Sequence, residues 1–81
     1  GEKSVIVFGA MEATLPPLMA RIEAEFAGVK VFSLPSVDHP QWGRHIELGV
    51  KGQAELLDRP YQALLAGLES HGAKLGPELV R

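Results

Sequence analysis

The residues of this chain that could do chemistry are three histidines, four serines and a scatter of carboxylates, and their spacing argues against most chemistry. His39, His45 and His71 never stand four apart on one helix, the spacing that lets two imidazoles share a metal ion. His39 follows Asp38 in a proline-rich turn, His45 opens a strand, and His71 ends a helix, where a cation suits the dipole. A nucleophilic serine needs a base beside it and a third group to orient that base. Ser4, Ser33, Ser36 and Ser70 lie in no G-x-S-x-G elbow, and Ser36, Asp38 and His39 are too close in sequence to converge. Glu23 and Glu25 diverge on a helix, and Glu47 stands alone on its strand, so no carboxylate pair is set for acid–base work. There is no cysteine, which removes disulfides, thiolate metal sites and a thiol nucleophile. There is no asparagine, which removes the Arg–Asn arrangement of acylphosphatase-like hydrolysis. The chain is expected to be non-catalytic, with no cofactor and no metal.

Two loops and two aromatic positions remain as candidates for binding. Gly49-Val50-Lys51-Gly52 spells the G-x-x-G that clamps a nucleotide backbone in KH domains. There, however, the loop joins two helices, whereas here it joins a strand to a helix. The plainer expectation is a strand-ending turn whose glycines take positive φ, with Lys51 alone giving thin support for a phosphate. Gly9 to Glu12 form a second strand-to-helix connection. Trp42, between Pro40 and Gly43 and close to Arg44, either anchors a partner or folds over the sheet edge.

Periodicity supplies the elements that must position these residues. Ser4–Phe8 (S-V-I-V-F) is apolar on both faces, as an interior strand is, and Gly9 ends it. Thr14 and Pro16-Pro17 open a helix whose Leu15, Leu18, Met19, Ile22 and Phe26 form one stripe, closed near Gly28. Val29–Leu34 reads as a second strand and Pro35–Arg44 as a long, floppy turn. His45–Val50 alternates, with Ile46, Leu48 and Val50 on its buried side. Leu56, Leu57, Tyr61, Leu64, Leu65 and Leu68 make a second stripe, which Pro60 interrupts. A proline inside a helix removes a hydrogen bond and clashes with the preceding turn. One loose turn over 53–57 followed by a main helix capped by Asp58, with Pro60 near its start, is therefore expected, a kinked continuous helix being the alternative. Residues 73–80 form a last strand that Gly76 and Pro77 confine to an edge.

The order β-α-β-β-α-(β) predicts an α+β domain, a ferredoxin-like plait with both helices on one face of an antiparallel sheet. Eighty-one residues make one domain, 1–81. A start at Gly1-Glu2 without methionine reads as a segment of a larger protein. With two helices on one side, some of Val5, Ile6, Val7, Phe8 and Phe32 must point to the uncovered side, Phe8 and Phe32 being the candidates for a contact surface. Together with Trp42 and Arg44 they form the expected contact surface. Eight basic against ten acidic residues argue against nucleic acid as a partner, and no apolar run is long enough to span a membrane.

V-F-G at 7–9, Glu12 and Leu15 opening a helix, Val31–Pro35, and then Ile46-Glu-Leu-Gly-Val-Lys-Gly52 before a Leu- and Ala-rich helix form a larger pattern. From residue 4 to about 72, it resembles the small α/β domain that follows the molybdopterin-binding-type domain in competence/damage-inducible protein A and its relatives. The resemblance implies a cytoplasmic accessory domain that packs on its upstream neighbour or self-associates. It carries no catalytic residue onto this chain, and the turn around Asp38–Trp42 departs from the family pattern. The alternative expectation is a small-molecule module for a nucleotide or pterin. In it the Gly9–Glu12 and Gly49–Gly52 loops would line one pocket. RNA binding in the KH manner is a third.

Overall fold

The computed structural model describes residues 1–9 and 13–81. Four strands and two helices follow in the order β1 (Glu2–Phe8), α1 (Leu15–Glu25), β2 (Lys30–His39), β3 (Gly43–Lys51), α2 (Asp58–Ser70) and β4 (Lys74–Val80). The strands form one antiparallel sheet in the order β2-β3-β1-β4. This is the ferredoxin-like plait, an α+β arrangement of two split βαβ units.

Both helices lie on one side of the sheet because both apolar stripes meet the same strand faces. Leu15, Leu18 and Ile22 of α1 and Tyr61, Leu64 and Leu68 of α2 share one core with Val5, Val7, Leu48 and Val50. The helices close on each other at Gly67, where a Cβ would fall on Leu18 Cδ1. Pro60 acts as expected: a 3₁₀ turn over Ala54–Leu56 precedes α2, and Pro60 sits buried in the helix's first turn. Thr14 holds the N-cap position of α1 without a side-chain hydrogen bond to the helix.

The expected turn over Pro35–Arg44 is mostly strand. β2 runs on to His39 and β3 begins at Gly43, so Pro35 faces Ile46 and Ser36 faces His45 in register. Pro35 is tolerated because β2 is an edge strand, where a missing N–H need not leave a gap in the ladder. The pairing slips between Ser36 and His39, and Gly43 takes φ +59° where the chain reverses. β4 is the other edge. Its register shifts opposite Val5–Val7, which places Gly76 and Pro77 in the bulge.

Candidate functional site

Alternation along the strands fixes what the helix-free face displays. From β2 it carries Lys30, Phe32, Leu34 and Ser36; from β3, Lys51, Gly49, Glu47 and His45; and from β1, Glu2, Ser4, Ile6 and Phe8. β4 adds Lys74, Gly76, Leu79 and Arg81. Phe8 and Phe32 therefore lie on one face, as expected. Arg44 does not join them. It alternates with His45 and is exposed on the other side, beside Ile46 at the end of the sheet.

Glycines close the middle of this face. A Cβ on Gly49 would lie 2.5 Å from the Lys3 carbonyl oxygen, 2.5 Å from Ser4 Cβ and 2.8 Å from Phe32 Cζ. A Cβ on Gly76 would lie 2.6 Å from Phe8 Cε2 and 3.4 Å from Ile6 Cβ. Each phenyl ring thus lies over a cross-strand glycine, and Ile6 and Ser4 beneath are fully buried although no helix covers them. Gly49 needs no positive φ, contrary to the turn expected for it. Its missing side chain makes room for β1 and for the Phe32 ring.

Glu47 does not stand alone. Its Oε2 accepts from Ser4 Oγ at 2.7 Å and from Arg81 Nη1 at 2.7 Å, while Arg81 Nη2 donates to Oε1 at 3.4 Å. Arg81 also reaches Glu2 at 3.5 Å. The forked guanidinium holds the Glu47 carboxyl below its ordinary pKa, outweighing burial that acts to raise it, with the Ser4 hydroxyl assisting. A carboxylate held low contributes stability that is present above pH 4.5 and is lost as the pH falls further, because the unfolded chain binds the proton first. Glu47→Gln is expected to flatten the acid limb of stability against pH between about pH 5 and 2. Urea melts across that range measure it, and an unchanged limb would mean that Glu47 is not the group titrating.

Two further polar arrangements frame the sheet. On the helix side, the Tyr61 hydroxyl lies 2.6 Å from Glu78 Oε1 and 3.2 Å from the Ser4 carbonyl. Burial, and then the Glu78 carboxylate, push its pKa well above the ordinary tyrosine value. At the β2–β3 tip, His39 Nδ1 accepts from the backbone N–H groups of Gln41 and Trp42 at 3.1 and 3.0 Å. The His39 and Trp42 rings stack with centroids 4.3 Å apart, and His45 meets both edge-on. Trp42 therefore folds into the tip instead of standing free. His71 closes α2 locally, with Nδ1 donating to the Gly67 carbonyl at 2.8 Å.

Gly9 and the Gly49–Gly52 loop, expected to belong to one pocket, lie at opposite ends of the sheet. Phe8, just before Gly9, pairs with His45, while Glu2 pairs with Lys51, so β1 separates the loops by about 20 Å at strand rise. Glu12 lies outside the described residues. Gly52 is instead joined by Gly28, whose carbonyl oxygen would be 3.0 Å from a Cβ there. Gly28 and Gly52 flank a shallow basin of about 560 Å³ that also meets Gly1, whose ammonium donates to the Gly52 carbonyl at 2.8 Å, and Glu2, Lys30, Lys51 and Arg81.

Among the described residues no group of three or more His, Asp or Glu side chains is placed to hold a metal ion. No helix among them is long and apolar enough to cross a membrane. Compared with protein-family models, with curated proteins and with solved structures, the chain finds no match.

Proposed function

We propose that the chain is a non-catalytic interaction module that docks on a neighbouring folded domain through the helix-free face of its sheet. The observation that carries this reading is the composition of that face. Phe8, Phe32 and Leu34 are its accessible apolar side chains, and Ile6 lies buried beneath them. The Glu47–Arg81 pair is set between Leu34 and Ile6, and Lys30, Lys51 and Lys74 stand towards the edges. Apolar and aromatic anchors set among polar groups are how protein interfaces are built. The molecule measures 34 × 25 × 16 Å between Cα extremes, and the thin direction crosses one sheet and one helix layer. The face is therefore of the order of the roughly 800 Å² per partner that a stable interface buries. Leu34, at 55% exposure, is the large apolar side chain of this face most open to a partner. The polar cluster on this face, Ser4, Glu47 and Arg81, is locked on itself. Ser4 is buried beneath the face and already donates to Glu47, so no substrate can reach its hydroxyl.

The neighbour assigned by the resemblance is the molybdopterin-binding-type domain of competence/damage-inducible protein A-like proteins, in the cytoplasm. Isothermal titration of the chain with a purified domain of that type tests the assignment. Binding in the micromolar range is expected. Leu34→Asp should weaken it by about tenfold or more, because a charge would be buried unpaired. The thermal midpoint should hardly move, since Leu34 is a surface position. A dimer broken by Leu34→Asp would transfer the face to a second copy of the chain. Absence of both kinds of association would overturn the docking role.

A further inference from the structure

The charges of the sheet face are not those of the molecule. Lys30, Lys51, Lys74 and Arg81 share it with only Glu2 and Glu47, so the face carries two more cations than anions. The whole chain carries a net charge of −2. The excess is concentrated at one end. Lys30 and Lys51 are direct partners in the β2–β3 register and lie on the same side of the sheet. Their Cβ atoms are therefore about 5 Å apart, and like charges placed so are destabilising. Glu2 stands directly across from Lys51 on this face, but its carboxylate is shared with Arg81, which also holds Glu47. Among the described residues neither lysine forms an ion pair. A lysine on an edge strand can serve only to deter strand pairing, but Lys51 is on β3, an interior strand.

Beside this pair lies the basin of about 560 Å³, whose loop walls are made by Gly28 and Gly52. The basin is shallow and open to solvent, and the Gly52 N–H and carbonyl are already bonded to Gly1, so the side-chain ammonium groups are what it offers a ligand. Lys30, Lys51 and the Gly1 ammonium line the basin with Arg81, against the single carboxylate of Glu2, and this excess of cations matches one ligand chemistry, an oxyanion with several acceptor oxygens.

We propose that Lys30 and Lys51, at the basin bounded by Gly28 and Gly52, bind a phosphate-type oxyanion carried on a small molecule. The site is on the rim of the docking face and stands or falls separately from it. The ligand's anion would relieve the lysine–lysine repulsion that the fold otherwise carries.

The test is a titration of the intact, ¹⁵N-labelled chain with inorganic phosphate, with pyrophosphate, and with sodium chloride at matched ionic strength. Saturable amide shifts confined to residues 28–30 and 51–52 are expected, with pyrophosphate binding more tightly than phosphate. Lys51→Gln and Lys30→Gln should each weaken pyrophosphate about tenfold, the loss of one charge-assisted hydrogen bond. Lys30→Gln should melt no lower than the parent, since it removes only the like-charge contact, so its weaker binding is not a folding defect. Linear shifts reproduced by sodium chloride would overturn the proposal. So would Lys51→Gln binding as the parent does. A short single-stranded oligonucleotide that binds more tightly than pyrophosphate at equal phosphate concentration would overturn the small-molecule assignment.

Discussion

Replacing Gly49 by alanine is expected to cost about 3 kcal/mol of folding stability, the upper part of the range for overpacking. The added methyl would meet the Lys3 carbonyl oxygen and Ser4 Cβ at 2.5 Å, as well as the Phe32 ring. Two of these three are part of the β1–β3 ladder, which is paired from Glu2–Lys51 through Phe8–His45 and cannot step aside locally. Gly67→Ala is the instructive contrast. Its methyl would meet the flexible end of Leu18 and would also gain about 1 kcal/mol of helix propensity, so its net cost should be smaller. Urea titration gives both values from the shift in midpoint at constant slope. Combining Phe32→Ala with Gly49→Ala should not restore stability, because the backbone contact remains. Full rescue by that pair would mean that the ring alone excludes a side chain at position 49.

Ile6→Ala is expected to cost about 3 kcal/mol, as much as truncating a leucine in the helix-side core. A residue on a helix-free face would ordinarily be worth far less. Ile6 is fully buried, however, and lies beside Gly76, which the Phe8 ring covers. Removing its side chain would leave a cavity under a ring held by its neighbours, including Lys74, whose Nζ lies 5.9 Å from the Phe8 centroid. The same denaturant measurement decides the matter. A loss below about 1 kcal/mol would place Ile6 in solvent and remove the second, smaller core that this face contains.

These two positions also mark where the sequence was legible and where it was not. The stripe Leu15, Leu18, Ile22 and the alternation Ile46, Leu48, Val50 place both helices and β3 directly, because burial on one side imposes a period that local residues express. Pro60 likewise announces the 3₁₀ turn before α2, since its ring acts on the turn immediately preceding it. The stretch 35–44 misleads for a physical reason. Pro35 and Pro40 carry the same local signal in a turn as in an edge strand, and only the strand order, a long-range property, distinguishes them. Glu47 reads as isolated because its partners are 43 and 34 residues away in Ser4 and Arg81. Trp42 left two readings open in the sequence, and in the fold its ring stacks on His39 at the β2–β3 tip, a contact three residues away that no motif announces. Lys51 gave thin support for an anion when read by itself. Its significance depends on Lys30, which only the β2–β3 register brings opposite. The separation of Gly9 from Gly52 follows from β1 running the full length of the sheet between them, which no short motif encodes.

The docking role rests on the side of the sheet that the helices leave uncovered. Cross-saturation of the labelled chain with the proposed partner, a molybdopterin-binding-type domain, examines that side directly. Signal loss is expected at the amides of Phe8, Phe32, Leu34, His45 and Glu47, with α1 and α2 untouched. Loss concentrated on the two helices, with those strand amides unaffected, would contradict it.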